Sequence, residues 1–473
     1  MRRVLTGMGL TLLLTAAAPA STVKDKACYI NDFETPVRCV TISVPMDYDA
    51  PADGSIEVTA AVVPATTARP APDPLFVFAG GPGQAATALG PWVNTAFAPA
   101  RRERDIILFD IRGVGMSSPI DCPLTMSGTQ DAVTTFRRDA AACAAKAGKR
   151  ARFLSSRELV EDIERMRLAL GLKQINLWGG SFGTRISQHY ARAYGSNVRA
   201  VVMDAASPVG NSIFLTAPRY GEEALQRLVE DCRADPGCAK AFPNLKQDLD
   251  TVLSQLGSAP LTVSAIDPRT GTPATGRLDA DVVAGAVRSA MYGGLGWSLV
   301  PFAISQAARG NHAPLLALGS GAADVAADGM SIGSMLGVLC SEDVELARRA
   351  EPAARSFGFM RDSYYRSFAA GCEAWPHRAL PEAMLKPFTS KIPVLAISGV
   401  RDPVTPPDAA DEALKMFGRH VHIRIDAGFH TNSNSRCISE RIAEFLKNPQ
   451  QQLTGLDCVN RFPRPRFMLS PTL

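Results

Sequence analysis

The sequence is short of the features that mark several classes of protein. Its one stretch that invites a membrane reading, the uncharged run from Val4 to Ala18, falls well below the ~20 apolar residues of a spanning helix. Ten cysteines are present, yet no C-x-x-C pair and no Cys/His cluster at ligand spacing occurs, which argues against a zinc site. Basic residues exceed acidic ones by only four, and the two signs are spread evenly, so the basic stripe of a nucleic-acid-binding surface is missing. No internal repeat appears. The one low-complexity stretch, Pro/Ala-rich around Ala65 to Pro74, reads as a loop between two early strands.

The amino terminus supplies a different signal. Arg2 and Arg3 precede the apolar run, and Ala18-Pro19-Ala20 follows, the pattern of a secretory signal peptide over residues 1–20. Its removal takes away two positive charges, leaving a mature chain of net charge +2 with no stable membrane insertion. No Cys directly follows the expected cut, which argues against a lipid anchor. A secreted or periplasmic location suits ten cysteines, which fall into neighbours along the chain. The layout predicts Cys28–Cys39, Cys122–Cys143, Cys232–Cys238, Cys340–Cys372 and Cys437–Cys458.

Short β-branched runs predict buried strands at 40–44, 56–63, 75–78, 105–109, 175–178, 200–203, 393–397 and 421–425. Helix-period segments lie between some of them, notably 156–170 and 185–194. This alternation predicts an α/β fold with a mostly parallel sheet flanked by helices. From about 211 to 388 the pattern changes to successive helices without strands, at 219–232, 245–256, 280–291, 299–308 and 343–356. The expected organisation is a core over 21–210, an inserted helical cap over 211–388, and the rest of the core over 389–473.

Chemistry enters at Gly179-Gly180-Ser181-Phe182-Gly183, which follows a predicted strand and opens a predicted helix. That is the context of a G-x-S-x-G nucleophile elbow. A hydroxyl needs a base and an oxyanion hole. The glycine-rich turn Gly80-Gly81-Pro82-Gly83 and the residue after the serine point to the N–H groups of Gly81 and Phe182 as oxyanion donors. Of six histidines, His430 lies in a loop after the last strand, where the Ser, Asp, His order places the base. Asp402, past the penultimate strand, is the expected acid, with Asp408 and Asp426 as rivals. Asp110 and Arg112, in a charged Gly-rich turn after the 105–109 strand, are expected to pair and brace it.

These stretches together resemble the prolyl aminopeptidase and tripeptidyl aminopeptidase family of α/β-hydrolase serine peptidases. Gly80-Gly81-Pro82-Gly83 stands for its His-Gly-Gly-Pro-Gly turn, with Ala79 in place of the His. Asp110-Ile111-Arg112-Gly113-Val114-Gly115-Met116-Ser117 stands for its Asp-Gln-Arg-Gly-x-Gly-x-Ser stretch, with Ile111 in place of the Gln. The resemblance implies cleavage near free amino termini, with no metal or organic cofactor and with cap carboxylates reading the substrate amine. Glu342 and Asp343 are the candidates, with Glu222 and Glu223 second. Trp297, Tyr292 and Trp375 are candidates to line an apolar pocket. The expected partner is a peptide or small acyl substrate. A small-ester carboxylesterase and a non-catalytic binding protein on the same scaffold are the alternatives.

Overall fold

The computed structural model describes residues 23–31, 33–123, 132–266, 271–319, 329–350 and 358–470. The expected signal segment, 1–20, lies outside them. Nine strands form one sheet: β1 (Val23–Cys28), β2 (Val37–Pro45), β3 (Ser55–Val63), β4 (Leu75–Phe78), β5 (Ile106–Asp110), β6 (Ile175–Gly180), β7 (Val198–Asp204), β10 (Val394–Gly399) and β11 (His420–Ile425). Their order is β1-β2-β3-β5-β4-β6-β7-β10-β11. The first three are antiparallel, while β5 through β11 in that order are parallel, so their carboxyl ends share one edge.

Side-chain alternation explains why this sheet needs cover on both faces. Phe76, Phe78, Leu177, Val201, Met203 and Ala396 point to one side and pack on α2 (Ser156–Ala169) and α3 (Phe182–Tyr194). Leu75, Val77, Trp178, Val202, Leu395 and Ile397 point to the other and pack on α12 (Arg436–Lys447). Period-two runs that are apolar at every position can be stable only between two such layers.

Between β7 and β10 lies a mainly helical block: α4 (Ile213–Ala234), α5 (Leu245–Ser258), α6 (Ala280–Ala290), α7 (Gly294–Ala308), α8 (Ile332–Ser341), α9 (Asp343–Arg349) and α10 (Ser363–Ala374). Contrary to the expectation of helices alone, a hairpin interrupts it, β8 (Leu261–Ile266) pairing with β9 (Pro273–Leu278). Helix α4 begins six residues before the expected start, because Ser212 accepts from the Phe214 N–H at 3.2 Å and caps it. Helix α7 begins five residues early, at Gly294, and α9 ends at Arg349; the remainder of the predicted 343–356 helix falls partly outside the described residues. The strand β1, rich in exposed charge, was not anticipated. It is held by its ladder to β2 and by the Cys28–Cys39 disulfide. All five disulfides join the neighbours that the cysteine layout predicts.

Asp110 and Arg112 do not pair with each other. Asp110, fully buried, accepts from Thr87 N and Oγ1 and from Met116 N at 2.8–2.9 Å. Gly115, at φ +52°, is required there, since a Cβ would sit 2.3 Å from the carboxylate. Arg112 instead makes a bidentate pair with Asp162 on α2, at 2.6 and 2.5 Å, with both side chains fully buried. It also donates to the carbonyls of Pro45, Met46 and Phe153. Asp162→Asn leaves that guanidinium without its counter-charge and is expected to cost about 3–5 kcal/mol. A urea midpoint unchanged from wild type contradicts this account.

Candidate active site

The elbow is built by contact distances. A Cβ on Gly179 would lie 2.4 Å from the backbone of Gly183, and one on Gly183 would lie 2.2 Å from the Phe78 carbonyl oxygen. Glycine at both positions lets β6 turn directly into α3. Ser181 sits at the turn with φ 53° and ψ −120°, a backbone conformation that L residues adopt only under constraint. The constraint is visible: its N–H donates to the Asp204 carbonyl at 2.9 Å, and its own carbonyl accepts from Thr184 N and Oγ1. Ser181 is partly exposed at the head of α3, where the first-turn N–H groups, Phe182 included, have no intrahelical acceptor. The Gly80–Gly83 turn packs against it, with Gly80 so close that a Cβ would meet that of Ser181 at 3.1 Å, and Gly81 has φ +105°.

On the neighbouring strand ends, Asp402 and His430 are in contact. His430 Nδ1 lies 2.8 Å from Asp402 Oδ2. The same oxygen accepts from Thr405 Oγ1 at 2.8 Å, and Oδ1 accepts from Val404 N and Thr405 N at 2.8 and 3.0 Å. Burial would raise the Asp402 pKa, but the facing imidazole and these donors outweigh it and hold the carboxyl below its usual range. An Nδ1–H aimed at Asp402 leaves Nε2 as the proton acceptor. Asp426 pairs with Arg464 and Arg401, and His422 is hydrogen-bonded to Asp411, with burial lowering its pKa against the raising effect of that carboxylate. His189 is buried behind the elbow, and burial drives its pKa down to about 3.

Asp204, at the end of β7, was not singled out in the sequence and organises both halves. Its carbonyl holds the Ser181 N–H, and its buried carboxylate accepts from Asn432 N, Ser433 N and Ser433 Oγ at 2.6–3.0 Å. One residue therefore fixes the elbow and the loop that carries His430. A buried strand run ending in Asp at the carboxyl edge was the available signal.

An open cleft of about 480 Å³ is lined by Gly81, Ser181, Phe182, Arg185, Tyr220 and Asp343, among others. Asp343 lines the cleft, but its carboxylate is held by Arg185 Nη1 and by Ile213 N, each at 2.8 Å. Glu342 is almost wholly buried, accepting from the Ser156 N–H at the start of α2 with Arg185 at 3.6 Å. Of the second pair, Glu222 accepts from Phe359 N and the exposed Glu223 faces Arg219. Trp297 does not line the cleft: it is 1% exposed, packed inside the helical block against Phe429 with ring centroids 5.5 Å apart. Trp375 is likewise interior, donating to the Ala151 carbonyl. Tyr292 does reach the site, its ring 4.8 Å from that of His430 and its carbonyl accepting the His430 N–H. Among the described residues no group of three or more His, Cys, Asp or Glu is placed to hold a metal ion.

Burial raises the Glu342 pKa to about 7, offset in part by Arg185. A carboxyl whose folded pKa lies above its unfolded value of 4.5 stabilises the fold fully below pH 4.5, and that contribution fades as pH rises towards 7. Glu342→Gln keeps an acceptor for Ser156 and is expected to melt like wild type at pH 5 and several degrees higher at pH 8. Parallel melting curves at both pH values contradict this.

Residues 73–433 match the alpha/beta hydrolase fold family. The chain belongs to that family. It is therefore a hydrolase, built on the α/β-hydrolase fold. It is 23% identical over 470 residues to a protein named tripeptidyl aminopeptidase from Streptomyces lividans, covering 91% of this chain and 85% of that one. It is 25% identical over 478 residues to the serine protease Hip1 of Mycobacterium tuberculosis (strain H37Rv), covering 89% and 87%. A protein named carboxylesterase B from Mycobacterium tuberculosis (strain CDC 1551) is 26% identical over 474 residues, covering 89% and 86%.

Proposed function

We propose that this hydrolase is a secreted serine peptidase that cleaves peptide bonds near free amino termini, with Ser181, His430 and Asp402 as its triad. The observation that carries the reading is Ser181 held at positive φ on an open cleft, tied through Asp204 to the loop whose imidazole meets Asp402. His430 takes the hydroxyl proton as Oγ bonds to the carbonyl carbon, and the N–H groups of Gly81 and Phe182 receive the developing oxyanion. Collapse breaks the C–N bond, and the same proton passes from His430 to the departing amine. Water then attacks the acyl-enzyme, losing its proton to His430, which returns it to Ser181 Oγ.

On the cleft wall one guanidinium, Arg185, faces two carboxylates, Asp343, which also lines the cleft, and the buried Glu342. With Glu342 ionised the cluster carries a net negative charge, which favours a substrate ammonium group as a unit rather than through one free carboxylate. Secretion is supported by the five disulfides and the amino-terminal sequence pattern; no helix among the described residues is long and apolar enough to cross a membrane. The division into a core over 21–210 and 389–473 and a cap over 211–388 is part of the same proposal.

The esterase reading is kept by the carboxylesterase name among the relatives, since the same triad serves both reactions. Paired peptides decide between them. Unblocked peptides are expected to be cleaved and their N-acetylated counterparts to be at least about tenfold poorer in kcat/KM. Equal rates on the pair, or turnover of acyl esters alone, refute the aminopeptidase reading.

A further inference from the structure

The loops that carry Asp402 and His430 meet at one buried side chain, Arg401, which is 2% exposed. Its backbone N–H donates to the Gly428 carbonyl at 3.0 Å, and its Nη1 donates to the Asp426 carbonyl. Arg401 therefore joins the residue before Asp402 to the chain just before His430. The two loops touch directly there: a Cβ on Gly399 would lie 2.3 Å from the Phe429 carbonyl oxygen.

The rest of the guanidinium belongs to the helical block. Nε and Nη2 form a two-point pair with Asp231 on α4, at 2.6 and 2.8 Å, and the guanidinium carbon lies 6.0 Å from the centre of the Trp297 ring. Asp231 stands in the last turn of α4, where the helix's own unpaired carbonyls disfavour a negative charge. The Cys232–Cys238 disulfide pins the chain beside it. A carboxylate kept at the unfavourable end of a helix and matched fork to fork with a buried guanidinium is explained by what it holds. The block grips the base loop as well, through the Tyr292 carbonyl on the His430 N–H and the Trp297 ring against Phe429.

Removing the Asp231 charge leaves the buried guanidinium uncompensated, and its fork is no longer fixed in the plane that aims Nη1 at Asp426. A misplacement of about 1 Å among reacting groups can cost about 100-fold in rate. We propose that Arg401 is a positioning residue for the triad, a staple that sets the Asp402–His430 geometry, and that the helical block contributes to catalysis by holding this staple through Asp231. This inference rests on the triad reading above and applies to a peptide or an ester substrate alike.

The test measures kcat and KM on an unblocked peptide anilide, or on a nitrophenyl ester if only esters are turned over, together with the rate at which a fluorophosphonate labels Ser181. Both are taken per folded enzyme, well below the melting temperature. In Asp231→Asn, kcat and the labelling rate should fall together, roughly 10- to 100-fold. KM should stay within about threefold, because neither Asp231 nor Arg401 lines the cleft. Asp231→Glu restores the charge and the two-point pair, and should return to within about fivefold of wild type. Arg401→Lys keeps the charge but not the fork; it should match Asp231→Asn, and it decides the matter where that variant does not fold. The double variant should lose no more than the worse single one, the mark of one shared interaction. A folded Asp231→Asn or Arg401→Lys protein with kcat and labelling within about twofold of wild type overturns the inference and leaves the triad standing. So does a loss confined to KM, or an Asp231→Glu protein no faster than Asp231→Asn. A wild-type protein that no fluorophosphonate labels at Ser181 removes the triad and this inference with it.

Discussion

Ser181→Ala is expected to lower kcat on an unblocked peptide anilide by roughly 10⁴- to 10⁶-fold, leaving only what the oxyanion donors and binding supply. The fold should be indifferent. The serine hydroxyl does not hold the elbow; the backbone does, through the Ser181 N–H to Asp204, the Ser181 carbonyl to Thr184, and the glycines at 179 and 183. Alanine at φ 53° is strained to about the same degree as serine. Loss of activity with an unchanged melting temperature, and loss of labelling by a fluorophosphonate, therefore separate a nucleophile from a structural hydroxyl. Activity within tenfold of wild type removes Ser181 from the reaction.

Asp402→Asn is expected to cost about 10⁴-fold in kcat, and the surrounding donors explain why no rotamer rescues it. Every contact of this carboxylate comes from a donor: Val404 N and Thr405 N at Oδ1, Thr405 Oγ1 and His430 Nδ1 at Oδ2. An asparagine must point its NH₂ at one set. Turned towards the two backbone N–H groups, it opposes donor to donor in a buried position, at about 1–3 kcal/mol. Turned towards the imidazole, it makes Nδ1 the acceptor, so that Nε2 carries the proton and can no longer take one from Ser181. Loss of rate well beyond any loss of stability is the expected signature. A variant whose activity and melting fall together in proportion would mean that Asp402 serves the loop and not the histidine.

Much of this was legible in the sequence because it is local. The strands announce themselves as uninterrupted β-branched runs, and the G-x-S-x-G glycines are dictated by contacts within five residues and one neighbouring strand end. The loops bearing Asp402 and His430 follow the last two strands, so chain order alone placed them at one edge. The hairpin at 261–278 was also readable, since Leu261, Val263 and Ala265 alternate with polar residues, but it is a short period-two signal inside a long succession of helix-period segments.

What was not legible depends on partners far away in sequence. Glu342 looks like a surface carboxylate until Ser156, 186 residues earlier, proves to be its partner. Arg112 finds Asp162 across 50 residues rather than Asp110 beside it. Trp297 is placed by the packing of three helices, and no pattern around it distinguishes a core ring from a pocket wall. Asp204 is the reverse case, a residue whose neighbours in sequence say strand end and whose importance lies wholly in the loop it grips.

The disulfides carry a further implication for how the molecule holds together. Each closes a short loop, the widest spanning 32 residues, and none crosses from the helical block to the sheet. Covalently, the block is tethered to its base only by the chain itself, at its two ends; the rest of the grip is non-covalent, through contacts such as Arg185–Asp343 and Ser156–Glu342. A single protease nick anywhere between Cys238 and Cys340 would thus yield two pieces that part on a denaturing gel with no reductant added. Oxidation armours each region separately and leaves the seam between them free to open.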